Sequence, residues 1–353
     1  MTSTLETEEG AESRTRSPLR SLKRLLRQAG YFRMSPEILK AINRFQPELT
    51  YGWLGDPIWG WTLTRLAAKL RIPYVIHFMD NHIGLDPEND WAARLSMTLF
   101  RRQVNAAVHH AAAVFAISDA MAASYGARWN RPILAFHGVM GTETWPQPVY
   151  QGDNPVFEIA FMGSIEQSQF YGLLDVAKAV EELNNNGVPA ILVLYLTDYY
   201  RDHIGKGFSA FHHVTIRPHP DANGLQVALR RAGALILAYG FDRETLRYYQ
   251  YSFPTKLVPY MLSGRPILAY GPPSIAPIAY VLRGGWGLVI KERSVERLAE
   301  SIMELIKNPA ECARLGTLAH EEACREHDQS KVAAEFAEAL AAAAGCRLTA
   351  ATG

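Results

Sequence analysis

Short apolar runs alternate with helix-length amphipathic segments along this chain, and after a proline-marked break the alternation starts again. In the first half the runs are Leu49–Leu54, Tyr74–Met79, Ala113–Ile117 and Ile133–Phe136. Helical patterns lie between them at 58–70, 91–110 and after the Ser118-Asp119 cap. A helix at 36–45, opened by Ser35-Pro36, is expected to turn Ile38, Ile42 and Phe45 inward. The second half runs through Phe157–Met162, Ala190–Tyr195, Val214–Arg217, Ala234–Ala238, Pro266–Ala269 and Leu288–Ile290, with helices at 171–186, 295–307, 310–326 and 331–344. Strands buried on both faces and joined by helices form parallel sheets. The expectation is an α/β protein with two Rossmann-like, doubly wound parallel-sheet domains. The first is expected to be short, with an incomplete sheet, since no apolar run precedes Leu49. Ligands of such sheets bind beyond the carboxyl ends of the strands.

The boundaries follow from composition. Residues 1–16 are expected to be a disordered tail, 17–145 the first domain, 146–325 the second, and 326–353 a terminal helix and tail. At 353 residues the chain exceeds a single core, and a formal net charge of +1 argues against a nucleic-acid partner. Cys312, Cys324 and Cys346 have no metal-binding spacing, and no apolar run is long enough to span a bilayer. With no signal peptide, a cytoplasmic location is expected. The charge is uneven, however. From Arg14 to Arg33 there are seven basic and no acidic residues, and Leu19, Leu22, Leu26 and Ala29 share one helical face. Residues 18–29 could therefore lie on the inner face of an anionic membrane, or simply form a solvated surface helix.

The stretch Tyr251-Ser-Phe-Pro-Thr-Lys-Leu-Val-Pro-Tyr-Met-Leu-Ser-Gly-Arg-Pro-Ile-Leu-Ala-Tyr270 carries the chemistry. Pro254 suits the first turn of a helix, Gly264 stops it, and Ile267-Leu268-Ala269 follows as a strand. Ser252, Thr255 and Lys256 are thereby grouped where backbone amides, hydroxyls and an ammonium suit a phosphate.

This stretch resembles the donor-binding segment of GT-B glycosyltransferases, in particular the retaining group classed as family four. The resemblance continues through Gly271-Pro-Pro273 and Gly284–Val289. It implies a nucleotide-diphosphate sugar as donor and a hydroxyl acceptor, such as a lipid-linked or cell-surface polysaccharide precursor, with no metal or other cofactor. Lys256 would meet the diphosphate charge as the sugar leaves. Gly163 and Ser164, after a strand, would form the donor loop, and Arg217 would sit near the base. Asp242 would bind sugar hydroxyls, Tyr251, Ser252 and Thr255 would contact the donor, and Asp80 would face the acceptor as a catalytic group. The family's two glutamates fall on Tyr251 and Pro259, neither of them acidic. That difference leaves open a non-catalytic nucleotide- or partner-binding module on a shortened scaffold, and, as a third reading, a sugar-nucleotide epimerase.

Overall fold

A computed structural model describes residues 35–55, 57–84, 91–150 and 154–345. The expected tail at 1–16 and the basic segment at 18–29 lie outside them. After helix α1 (Pro36–Phe45), the first half alternates β1 (Thr50–Trp53), α2 (Pro57–Leu70), β2 (Tyr74–Phe78), α3 (Trp91–His110), β3 (Ala113–Ala116), α4 (Asp119–Trp129) and β4 (Leu134–Ala135). Its described strands form a four-stranded parallel sheet in the order β1-β2-β3-β4.

The second half contains β5 (Phe157–Met162), α5 (Gln167–Asn185), β6 (Ala190–Leu196), α6 (Asp198–Ile204), β7 (Val214–Pro218), α7 (Ala222–Arg231), β8 (Ala234–Ala238) and α8 (Arg243–Tyr249). It continues through α9 (Leu257–Leu262), β9 (Ile267–Tyr270), α10 (Ala276–Gly284), β10 (Gly287–Ile290), α11 (Val295–Lys307) and α12 (Pro309–Glu326). The six parallel strands run β7-β6-β5-β8-β9-β10, the doubly wound order of a dinucleotide-binding sheet. The order reverses between β5 and β8. Loops leaving those two neighbours diverge and open a crevice there.

Burial on both faces explains the uninterrupted apolar runs. Ile159, Phe161, Leu192 and Leu194 pack on one side with α5 and α11, whereas Ala160, Met162, Val193 and Leu235 pack on the other with α9 and α10. The last helix, α13 (Gln329–Ala344), returns to the first half. Its Val332, Phe336 and Leu340 cover Val75, Phe115 and Phe136 on the face of the first sheet opposite α2 and α3.

Three local expectations are corrected. Ile38 and Phe45 of α1 face outward rather than inward, 52% and 80% exposed, and α1 buries none of its residues. Helix α5 starts at Gln167 instead of 171, because Glu166 and Gln169 form a reciprocal capping box that nucleates it early. Helix α9 starts at Leu257, so Pro254 precedes it in a turn closed by the Leu257 amide and the Pro254 carbonyl. Pro259 takes the first-turn position that tolerates a missing N–H.

Candidate functional site

The crevice at the strand reversal is built from the loop after β5. Gly163 has φ +110°, a conformation in which an L side chain is strained. It turns the chain at the end of β5 and leaves room above its Cα, where the Lys256 Nζ lies 3.6 Å from the place a Cβ would occupy. Lys256 is held there by its own helix. Four residues on, the Tyr260 hydroxyl accepts a hydrogen bond from the Met162 amide at 2.8 Å, tying α9 to the end of β5. The Lys256 ammonium then donates to the Ser164 carbonyl at 3.3 Å and sits 3.7 Å from the centre of the Phe161 ring. Such a cation over a ring face gains electrostatically, but it loses water.

Burial pulls the Lys256 pKa down to about 7, and the neighbouring Glu166 carboxylate opposes the shift. The side chain as a whole keeps some solvent contact. The direction of the shift follows from the ammonium's seat on Phe161.

On the other side of the same loop lies a cavity of about 530 Å³, framed by the start of α5 and by α8. Glu166, Asp242 and Glu244 supply carboxylates, while Tyr171, Tyr248 and Tyr249 supply aromatic faces. Asp242 caps α8, accepting from the Thr245 amide at 2.9 Å and the Thr245 hydroxyl at 2.6 Å. Burial pushes its pKa up, but those hydrogen bonds outweigh it and hold the carboxyl below its ordinary value. The Tyr249 hydroxyl is buried and makes no hydrogen bond within the described residues. Carboxylate acceptors beside tyrosine rings suit a ligand with many hydroxyls and apolar C–H faces.

The first half approaches through the loop after β2. Asn81 donates to the Arg247 carbonyl of α8 at 3.2 Å and accepts from the Tyr125 hydroxyl at 3.0 Å. Asp80, beside it, is half-exposed and lies 3.6 Å from the His82 ring nitrogen. Together with Glu166 it adds to the burial that raises the Tyr248 pKa, so its charge is felt at the cavity. His77 faces the other way. Its Nδ1 meets the Tyr51 hydroxyl at 2.6 Å, its ring packs on Phe336, and burial lowers its pKa to about 4.

The structure thus brings Gly163, Ser164 and Lys256 together at one loop, while Asp242 lines the cavity that Glu166 of that loop borders and Asp80 lies on the other half. Ser252 is half-buried and Thr255 exposed, both in the turn before α9. Two other residues go elsewhere. Arg217 stands at the carboxyl end of β7, but its side chain leans back, with the guanidinium 3.0 Å from the Tyr195 hydroxyl and 3.7 Å from the buried Glu158 carboxylate. It shares that core acid with Arg231, which lies 3.4 Å from the same carboxylate, and does not line the cavity. Tyr251 reaches into the first half. Its carbonyl accepts from the Ser118 hydroxyl at 2.7 Å, and its own hydroxyl bonds Ser124 at 2.7 Å. It braces the two halves instead of lining the cavity. Tyr251→Phe is expected to cost about 1 kcal/mol in thermal stability by deleting the Ser124 bond, which thermal melting checks.

The helix that follows Gly163-Ser164 does not leave its first amides free. The Glu166 carboxylate already accepts from the third residue of α5, so that end is occupied by a negative group. Glu166 itself was missed, as were Ser168, Thr245, Tyr248 and Tyr249. Only the Glu-x-x-Gln capping pattern at 166–169 was legible, and it marks a helix start, not a cavity. Among the described residues no group of three or more His, Cys, Asp or Glu is arranged to hold a metal ion. No helix among them is long and apolar enough to cross a membrane.

No protein-family model and no curated protein matches the sequence. Solved structures do match its shape. A sucrose-phosphate synthase from Thermosynechococcus elongatus aligns with a TM-score of 0.64 at 15% identity, over 86% of this chain and 75% of the other. HepE from Anabaena, solved with UDP-glucose, gives 0.62 at 15% identity over 87% and 82%. A glycosyltransferase from Rickettsia africae gives 0.62 at 11% identity over 97% and 84%. With two parallel Rossmann-like sheets, a second sheet in doubly wound order and a last helix returning to the first half, the chain has the GT-B fold of these glycosyltransferases.

Proposed function

We propose that this protein transfers a sugar from a nucleotide-diphosphate sugar to a hydroxyl acceptor. The observation that carries the reading is a single loop, 163–166, with an ammonium on one side and a carboxylate-and-tyrosine cavity on the other, at the point where the strand order reverses. A diphosphate beside Lys256 would place the attached sugar toward Asp242 and the tyrosines. As the bond to the sugar breaks, negative charge grows on the leaving phosphate, and a fixed ammonium in a partly dry site stabilises that charge. The protein's own cation takes this role in our reading, with no metal ion. Asp80, on the opposing half, is our candidate for contact with the incoming hydroxyl.

The likeness of residues 251–270 to the retaining family supports hexosyl transfer with retention, and the basic N-terminal sequence supports a lipid-linked or cell-surface glycan precursor as acceptor. HepE has been solved with UDP and UDP-glucose, so these head the ligands to be tried. Isothermal calorimetry with UDP, GDP, dTDP and ADP is expected to show saturable binding of one of them. If none binds, the reading fails. Asp242→Asn keeps an acceptor for the helix cap, so the fold should be retained. It is expected to lower turnover of the sugar nucleotide by about tenfold, while affinity for the free nucleotide stays constant.

The second reading, a nucleotide-binding module without turnover, is favoured by Tyr251 standing as an interdomain brace at the position of a family glutamate. Product analysis separates the two. Neither transfer nor hydrolysis of a donor that binds would favour the module.

A further inference from the structure

Tyrosine is concentrated around the cavity beyond what the core uses. Tyr239 and Tyr249 are buried with ring centres 4.8 Å apart, and Tyr248 meets Tyr249 edge-on at 5.0 Å. Tyr171 stands on the α5 side of the opening. Helix α6 adds Tyr199 and Tyr200, whose ring centres are 5.2 Å apart. The Tyr200 hydroxyl donates to the Glu166 carboxylate at 3.2 Å, which brings α6 to the border of the cavity. Three of these rings are left in water: Tyr171 is 44% exposed, Tyr248 53% and Tyr199 64%. Tyr199 is nevertheless held. Its ring lies on His203, with centres 4.4 Å and planes 26° apart, and the His203 Nδ1 bonds the Tyr199 carbonyl at 2.7 Å. A ring face fixed before a ligand arrives lowers the ordering cost of binding.

Exposed aromatic rings can meet a protein, a nucleobase or a glycan, and the surroundings choose among them. Glu166, Asp242, Arg243 and Glu244 stand among the rings, whereas charged groups are depleted at the centre of protein interfaces. A base is a single flat unit. Rings on three separate helices, α5, α6 and α8, repeat one kind of contact, as a chain of repeating units requires. A glycan uses both features, since its C–H faces pack on rings and its hydroxyls donate to carboxylates. The carboxylates disfavour an acidic glycan, because like charges brought together cost binding energy. Size points the same way. The cavity of about 530 Å³ falls in the range of sites that hold a whole drug-sized ligand, and Tyr199 lies beyond its lining, so the aromatic surface continues outward. The buried Tyr249 hydroxyl, without a partner among the described residues, is a polar group left for such a ligand.

We propose that Tyr171, Tyr199 and Tyr248 form a glycan platform on the second half, and that the acceptor is a neutral oligosaccharide several sugars long instead of a single sugar. The proposal rests on the sugar-transfer reading, but its test needs no donor. The full-length protein is applied to an array of immobilised glucose, galactose, mannose and N-acetylglucosamine, each as the single sugar and as chains of several units, with uronic-acid chains beside them. One or more neutral chains should be retained about tenfold more strongly than the corresponding single sugar. Tyr199→Ala and Tyr248→Ala should each weaken that retention about three- to tenfold, the usual worth of one aromatic contact. Tyr199→Phe and Tyr248→Phe keep the ring and should keep the binding. Both positions are exposed, so melting of all four variants should match the parent. An array on which nothing is retained overturns the proposal, as does equal retention of single sugars, preference for the uronic-acid chains, or alanine variants that bind like the parent. Alanine variants that instead weaken the nucleoside diphosphate in calorimetry would make the rings a base-stacking site. A dimer in light scattering that dissociates on Tyr199→Ala would make them a protein interface. Either result also overturns it. A nucleotide can bind while the array stays empty, so this proposal and the sugar-transfer reading fail separately.

Discussion

Lys256→Ala should lower turnover of the accepted sugar nucleotide by about 10²–10³-fold, the usual effect of deleting one fixed donor to a charge that grows in the transition state. Affinity for the matching nucleoside diphosphate should fall with it, because the Lys256 ammonium is the cation placed beside the Gly163-Ser164 turn in this reading. pH provides a second signature. With its pKa drawn down to about 7, Lys256 loses its charge in the neutral range. A nucleotide sugar keeps both phosphate charges there, so the lysine's titration is isolated from the ligand's. Binding should be flat below about pH 7 and weaken about tenfold per unit above it, until the pKa of the bound state is reached.

Stability moves the opposite way. The folded pKa of Lys256 lies below the ordinary 10.5, so between about 7 and 10.5 the unfolded chain binds more protons than the folded one. This group's contribution therefore favours folding fully above that range and is lost as pH falls through about 7. Lys256→Met, which leaves an apolar chain on Phe161, should accordingly raise the melting temperature at neutral pH while abolishing binding. A methionine variant that both melts earlier and binds normally would show Lys256 to be structural.

Gly172→Val is expected to unfold the second half more easily, by about 3 kcal/mol. Gly172 lies in α5 where the helix rests on bare backbone at the end of β8. A Cβ there would come within 2.7 Å of the Tyr239 nitrogen and 2.9 Å of the Ala238 carbonyl carbon. Neither atom can rotate away as a side chain tip could. One turn earlier, the Ser168 carbonyl accepts from the Gly240 amide at 2.8 Å, and the Ser168 and Thr245 hydroxyls hydrogen-bond to each other at 2.7 Å. These bonds hold the two walls of the cavity together. Displacing α5 should therefore weaken nucleotide-sugar binding as well as lower the melting temperature. Calorimetry and thermal melting of the same sample test both, and a valine variant indistinguishable from the parent would refute the packing argument.

How much of this was legible beforehand differs between fold and site. The uninterrupted apolar runs at 159–162, 190–195 and 234–238 identified buried parallel strands, because a strand covered on both faces has no polar side to interrupt it. The segment 251–270 pointed to Lys256 through its turn, helix, glycine stop and strand, all of them local properties. The inward face assigned to α1 failed for a related reason. A 3.6-residue period shows that a helix has an apolar side, but it does not show what that side meets.

Arg217, Tyr251 and Glu166 illustrate the remaining gap. Each is a polar residue at a place where a ligand contact was plausible or, for Glu166, unnoticed. Their partners, Glu158, Ser124 and the α5 amides, lie in some cases far along the chain, and only the packed molecule brings them within reach.

By itself the sequence determined the element types, the two-sheet plan and the placing of a lysine after a turn, since propensity, periodicity and breaker residues act over a few positions. The tertiary structure decided which charges face a ligand and which are spent on one another. Hydrogen bonds and ion pairs form at contact distance, and contact between residues distant in the chain is created only when the sheets and helices assemble.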